Sequence, residues 1–230
     1  MPRITTVFFD FGGTLAHTIS TRAGVVQRSL RGLGHDFPIE VIQRALEAGN
    51  AWRREHEHEC GEDWPRRSAF YINWYTEVAR ALDLANPASV GRHLWDTQDD
   101  SYELFPETGA TLAALDAQGL KLGVISNWDK LNLVQACETL GMARHFRVML
   151  PSAEAEADKP NPAIFRLALQ RIGSQPVESV MVGDSYPADV AGSQAVGMTG
   201  VLVLRDGRWR GPDCLVVRGL DEIPARLPLL

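Results

Sequence analysis

Asp10, Ser126, Lys159, Asp184 and Asp189 are far apart in a chain of 230 residues, yet each belongs to a type that phosphoryl or acyl chemistry uses. Asp10 ends the apolar run Val7-Phe8-Phe9 and precedes Phe11-Gly12-Gly13-Thr14-Leu15. Two glycines after a carboxylate let a ligand or metal approach the backbone closely. Ser126-Asn127 closes a second apolar run, where a short hydroxyl or amide donor can hold a phosphoryl oxygen. Lys159 stands in Asp158-Lys159-Pro160-Asn161-Pro162, with Pro160 fixing the entry to a helix. A fixed ammonium there neutralises both an aspartate nucleophile and a transferring phosphoryl group. Asp184 and Asp189 fall in Gly183-Asp184-Ser185-Tyr186-Pro187-Ala188-Asp189. Carboxylates converging on Asp10 repel one another unless a hard cation lies between them. Mg²⁺, which takes one or two carboxylates with waters and phosphate oxygens, suits that donor set.

Each stretch alone has a plainer account. Asp10 and Ser126 are good helix caps, and a lysine is ordinarily a surface residue. Their shared placement argues for chemistry, because ligands of open α/β sheets bind at the carboxyl ends of the strands. Glu55-His56-Glu57-His58-Glu59-Cys60 looks metal-like, but His56 and His58 point to different sides of a helix. His56 and Cys60 alone do not close a zinc site, so this is read as a solvated, charged helix end.

The elements that must carry these residues follow from periodicity. Val7 to Phe9 reads as a strand buried on both faces. From about Thr21 to Asp100 the pattern is helical, with runs at Thr21–Leu33, Pro38–Glu59, Trp64–Leu84 and Pro87–Asp100. Trp52, Trp64, Trp74 and Trp95 lie in this section and are expected in the core of a small helical bundle. Beyond Leu104-Phe105-Pro106, helices and strands alternate. Strands are expected at Leu120–Ile125, Phe146–Leu150, Val177–Val182, Val201–Leu204 and, at an edge, Leu215–Val217. Helices are expected at Thr108–Gln118, Lys130–Leu140 and Asn161–Ile172, with another carrying the chain from Asp189 to Gly197. Such alternation implies an α/β fold, a Rossmann-like doubly wound parallel sheet with right-handed crossovers. The expected division is a core of residues 1–16 and 103–230, with 17–102 inserted as a helical cap over the strand ends.

Bulk properties narrow the function class. A hydrophobic fraction of 45% supports a sizeable core, and a formal net charge of −6 disfavours a duplex-coating or anionic-membrane role. Cys60, Cys137 and Cys214 form no CxxC pair, which points to a reducing compartment. No apolar stretch approaches ~18 residues, so a cytoplasmic protein without nucleic-acid or membrane partners is expected.

The order Asp-x-Gly-Gly-Thr-Leu, Ser-Asn, Lys-Pro-Asn-Pro, Gly-Asp-Ser-x-x-x-Asp-x-x-Gly resembles the haloacid dehalogenase (HAD) superfamily, and the insertion resembles its helical cap. The resemblance implies that Asp10 is a nucleophile that forms an aspartyl phosphate. Ser126 would then hydrogen-bond the phosphoryl group, and Lys159 would steady its charge. Asn127 and Thr14 would contact substrate. Asp10, Asp184 and the Gly12 carbonyl would ligate Mg²⁺, with Asp189 supporting the site directly or through water. The implied partner is a small phosphorylated metabolite.

Gly12 departs from the family pattern. HAD phosphatases usually carry there a second aspartate, which protonates the leaving oxygen and later activates water. Its loss is worth ~10²–10⁴ in rate for substrates that need an acid. His17 is a candidate substitute, ranked below a cap carboxylate or a substrate group. Among relatives lacking this aspartate, the 2-haloacid dehalogenases also lack a metal-binding aspartate at the position of Asp184. Phosphonoacetaldehyde hydrolases need a cap lysine, and there is no lysine between Thr14 and Asp100. The readings carried forward are an Mg²⁺-dependent phosphohydrolase, a non-catalytic HAD fold that binds a phospho-ligand or protein partner, and a dehalogenase-like carbon–halogen hydrolase.

Overall fold

The computed structural model describes residues 3–60, 64–97, 101–128 and 133–229. By internal contacts the chain divides into two compact units, one formed by Met1–His17 and Glu103–Leu230, the other by Thr18–Tyr102.

Strand β1 (Thr6–Phe9) is buried at every position, as a strand covered on both faces must be. Short β2 (Ala16–Thr18) leads out of this unit. The second unit holds α1 (Arg22–Gly32), α2 (Ile39–Glu55), α3 (Trp64–Ala81) and α4 (Pro87–Thr97). The Thr21 hydroxyl accepts from the Gly24 N–H to start α1, and a single turn at Glu57–Glu59 follows α2. Ala23, Val26, Leu30, Ile42, Tyr75 and Val78 belong to the core of this unit. Trp74 and Trp95 are buried in that core and Trp52 packs on it, as expected of them; the Trp64 side chain lies outside the described residues.

Strand β3 (Tyr102–Leu104) returns the chain and pairs with β2 in a two-stranded sheet. Neither strand was anticipated, because three half-exposed residues carry no readable alternation. Next come α5 (Thr108–Ala117), β4 (Lys121–Ser126), α6 (Leu133–Thr139), β5 (Phe146–Pro151), the short turn α7 (Ser152–Ala155) and α8 (Pro162–Ile172). Strands β6 (Ser179–Gly183), β7 (Thr199–Val203) and β8 (Leu215–Val217) complete the chain. The expected starts at Lys130 and ends at Asp100 fall outside the described residues.

The large sheet has six parallel strands in the order β5-β4-β1-β6-β7-β8. Counted within that sheet alone the order is 3-2-1-4-5-6, the doubly wound Rossmann arrangement. Its reversal point lies beside β1, where a ligand crevice forms at the carboxyl edge. Phe9 stands level with Val124 of β4 and Val182 of β6, so the residues that follow these strands leave the same edge together. Gly123 makes the β1–β4 packing possible, since a Cβ there would meet the Phe8 ring at 2.7 Å. Among the described residues no helix is long and apolar enough to cross a membrane.

One element differs in kind from its expectation. The chain after Asp184 does not enter an ordinary α-helix; Tyr186–Ala191 forms a π-helical turn, and only a short helical stretch, Gly192–Gln194, follows. Pro187 lies within its first turn, and the Asp189 carboxylate bonds back to Ser185, the residue before it.

Candidate active site

Asp10 continues the β1 ladder by one bond, its N–H donating to the Val182 carbonyl at 2.9 Å. The chain then folds back tightly, with Gly13 N–H donating to Ala16 O at 2.8 Å and Leu15 N–H to Phe11 O at 2.9 Å. Gly13 has φ +77°, and a Cβ on it would fall 2.2 Å from Asp184 Oδ2. Only glycine allows both the turn and the packing of the Asp184 carboxylate against it. Gly12 differs: it is exposed, and a Cβ there would meet nothing within 4 Å.

Lys159 comes from the loop before α8 and is buried, 4% exposed. Its ammonium donates to Asp10 Oδ1 at 2.6 Å, Asp189 Oδ1 at 2.6 Å and the Ile125 carbonyl at 2.8 Å. All three ammonium donors are thereby used. Asp189 is in turn held by the π-helical turn, its Oδ2 accepting from the Ser185 N–H at 3.0 Å. Gly183 gives it room, since a Cβ there would lie 2.2 Å from the Asp189 carboxylate. Ser126 ends β4 level with Pro151 and is buried.

Asp10, Asp184 and Asp189 each bring a carboxylate oxygen within 4.8 Å of the others'. Burial opposes the charge on Lys159, but Asp10 and Asp189 outweigh it and hold the ammonium above its ordinary value. Burial also pushes Asp189 above the ordinary carboxylate range, with Asp10 adding to it and Lys159 resisting. Asp184 is exposed as a residue, but its carboxylate packs against Gly13, and that partial loss of water raises it first and Asp10 second. Three carboxylates with one ammonium leave two net negative charges, and every ligand atom on offer is oxygen. That donor set fits a divalent hard cation such as Mg²⁺.

The two residues expected to contact substrate, Asn127 and Thr14, stand in different surroundings. The Asn127 amide clamps the Lys159 backbone at both ends, accepting from its N–H at 2.7 Å and donating to its carbonyl at 2.9 Å. Asn127 therefore positions the lysine. The Thr14 hydroxyl is closed off from solvent without a partner among the described residues, so substrate contact there would require the loop to shift. His17 lies in β2 with its ring against Phe105, centroids 4.9 Å apart. His56 bonds the Trp52 carbonyl at 2.8 Å and stacks on its ring, a structural use in keeping with setting the zinc reading aside. Sequence reasoning missed Arg205, which bonds the Thr14 carbonyl at 2.9 Å, and the edge contact of Phe11 with Trp128 at 4.9 Å. Their position just past strand ends was the available signal.

The haloacid dehalogenase-like hydrolase family model matches residues 4–197. The chain belongs to that family. A ribulose-1,5-bisphosphate 5-phosphatase of Halopiger xanaduensis is 30% identical over 209 residues, covering 86% of this chain and 84% of that protein. Haloacid dehalogenase-like hydrolase domain-containing protein 3 of Mus musculus is 46% identical over 179 residues, covering 77% and 64%. The Danio rerio protein of the same name is 37% identical over 134 residues, and the match covers 56% of the chain and 54% of that relative. The matched region thus spans about half the length of the fish protein and under two thirds of the mouse protein. Among solved structures, the magnesium-bound HAD-hydrolase YfnB of Bacillus subtilis superposes with a TM-score of 0.76 at 17% identity, covering 98% of this chain and 99% of that one. A 2-haloacid dehalogenase of Pseudomonas syringae gives 0.68 at 23%, covering 98% and 99%. These likenesses carry the fold.

Proposed function

We propose that this HAD-like hydrolase is an Mg²⁺-dependent phosphohydrolase that works through an aspartyl phosphate on Asp10, with a small phosphorylated metabolite as substrate. The observation that carries the reading is the Lys159 ammonium bound to both Asp10 and Asp189 beside Asp184. Relatives named as phosphatases support it. A dehalogenase needs no such cluster of carboxylates, so that reading ranks lower.

Asp10 would attack phosphorus with one carboxylate oxygen while the ester oxygen leaves with its electron pair. Lys159 fixes the attacking carboxylate, and Ser126 would donate to a phosphoryl oxygen. Asp10, Asp184 and the Gly12 carbonyl would hold Mg²⁺, with Asp189 in support. When bound, the ion would neutralise phosphoryl charge and orient the phosphate. Water would then attack phosphorus, breaking its bond to Asp10 and restoring the carboxylate, with the water proton passing to phosphate or solvent. At position 12 no side chain is present to protonate the leaving group, so acyl phosphates, aryl phosphates or esters that bring their own acid are the favoured class. Residues 17–102 would serve as the substrate-selecting cap.

The test is hydrolysis of acetyl phosphate and p-nitrophenyl phosphate with Mg²⁺ or with EDTA. Turnover that requires Mg²⁺ and disappears in a folded Asp10→Asn variant is expected. Mg²⁺ binding with no turnover of any phosphate would favour the non-catalytic reading; halide release from a 2-haloacid without metal would favour the dehalogenase.

A further inference from the structure

Arg205, just beyond β7, belongs to none of the family motifs named above, yet it holds the turn that follows Asp10. Its Nη2 donates to the Thr14 carbonyl at 2.9 Å and its Nε to the Gly13 carbonyl at 3.4 Å. Nη1 donates to Glu107 Oε1 at 2.6 Å, and the guanidinium lies 3.3 Å above the Phe105 ring. Glu107 is anchored from behind by the Leu220 N–H at 3.4 Å. One planar fork therefore joins the turn to the start of α5 and to the segment after β8.

The turn needs such a brace. Gly13 sits at φ +77° with the Asp184 carboxylate where a Cβ would be, and glycine is the residue with most freedom to leave such a conformation. A guanidinium reaches two adjacent carbonyls and a carboxylate in one plane, which an ammonium does not.

We infer that Arg205 is a positioning residue: its fork clamps the Gly13–Thr14 turn and so holds the backbone that follows Asp10 against the Asp184 carboxylate. Only its consequence for Mg²⁺ rests on the function proposed above. The clamp itself is testable without metal.

Amide hydrogen exchange by NMR, followed by calorimetric Mg²⁺ titration, should be run on the whole chain as wild type, Arg205→Ala, Arg205→Lys and Glu107→Gln. In Arg205→Ala the amides of Gly13, Leu15 and Ala16 should exchange about tenfold faster, with β4 and β6 unchanged, as loss of a charge-assisted bond at one turn predicts. Mg²⁺ binding should weaken by a similar factor. Arg205→Lys keeps the charge without the fork and should leave these amides fast, and Glu107→Gln should fall between. Wild-type exchange in folded Arg205→Ala, equal acceleration across the sheet, or full recovery by lysine would each overturn the clamp. If Arg205→Ala fails to fold, the lysine and Glu107→Gln variants decide by the same amides. Fast turn exchange in the variants with no Mg²⁺ binding even by wild type would support the clamp and overturn the metal reading.

Discussion

Gly12 has room for the side chain that its family pattern calls for. It is not among the glycines with positive φ, and a Cβ on it would touch nothing within 4 Å. Gly12→Asp should therefore fold, and if only the acid is missing it should raise kcat/KM for alkyl phosphates by ~10². The gain on p-nitrophenyl phosphate should be smaller, since that leaving group needs little protonation. The ratio of the two gains is the quantity to measure, and equal losses in a folded, Mg²⁺-binding variant would mean that the pocket serves another task. Gly13→Ala is the contrasting case: strained at φ +77° and overlapping Asp184, it should weaken Mg²⁺ binding in a calorimetric titration. At this scale the gathering of Asp10 and Asp184 was legible because strand ends in an α/β sheet converge, and that of Lys159 and Asp189 because each stands in a short loop or turn that leads from such an edge. The clamp roles of Asn127 and Arg205 were not, because both act on backbone carbonyls or N–H groups that no residue pattern encodes.

Between elements, the same logic separates what could be read from what could not. Buried strands announced themselves as apolar runs, and a parallel, doubly wound sheet followed from their alternation with helices; the strand order came from the structure. The π-helical turn at Tyr186–Ala191 did not, since its residue pattern reads as an ordinary helix start and the bond from the Ser185 N–H to Asp189 leaves no mark in the sequence. The Glu107–Arg205 contact ties α5 to the end of β7 and makes a prediction about pH. Burial raises Glu107, but the Arg205 hydrogen bond and the Leu220 N–H more than offset it, so its carboxyl sits below the ordinary 4.5. A carboxyl depressed on folding contributes stability that is present above the unfolded value and is lost as pH falls through the folded one. Urea midpoints measured from pH 6 downward should therefore fall less steeply below 4.5 for Glu107→Gln than for wild type. Parallel acid limbs would show that the pair contributes nothing.

For the molecule as a whole, the two units have separate cores. One gathers Leu30, Ile42, Tyr75 and Leu94, the other Phe8, Ile125, Phe165 and Met181. The chain leaves and re-enters the helical unit at neighbouring points, with the Ile19 N–H donating to the Ser101 carbonyl at 2.9 Å. Replacing residues 19–101 by a short Gly/Ser linker should close a small loop at little entropic cost. The shortened protein should keep cooperative thermal unfolding and Mg²⁺ binding while losing discrimination among phosphate esters. Collapse of the sheet core, seen as loss of cooperative melting, would show that the helical unit is required for folding. That single doorway at Ile19 and Ser101 also has a consequence for specificity. An insert whose two ends meet at the same spacing would leave the chain path into β1 and out to β4 unchanged. If the helical unit selects substrate as proposed, a change of that one cassette would alter specificity while leaving the carboxylate cluster as it stands.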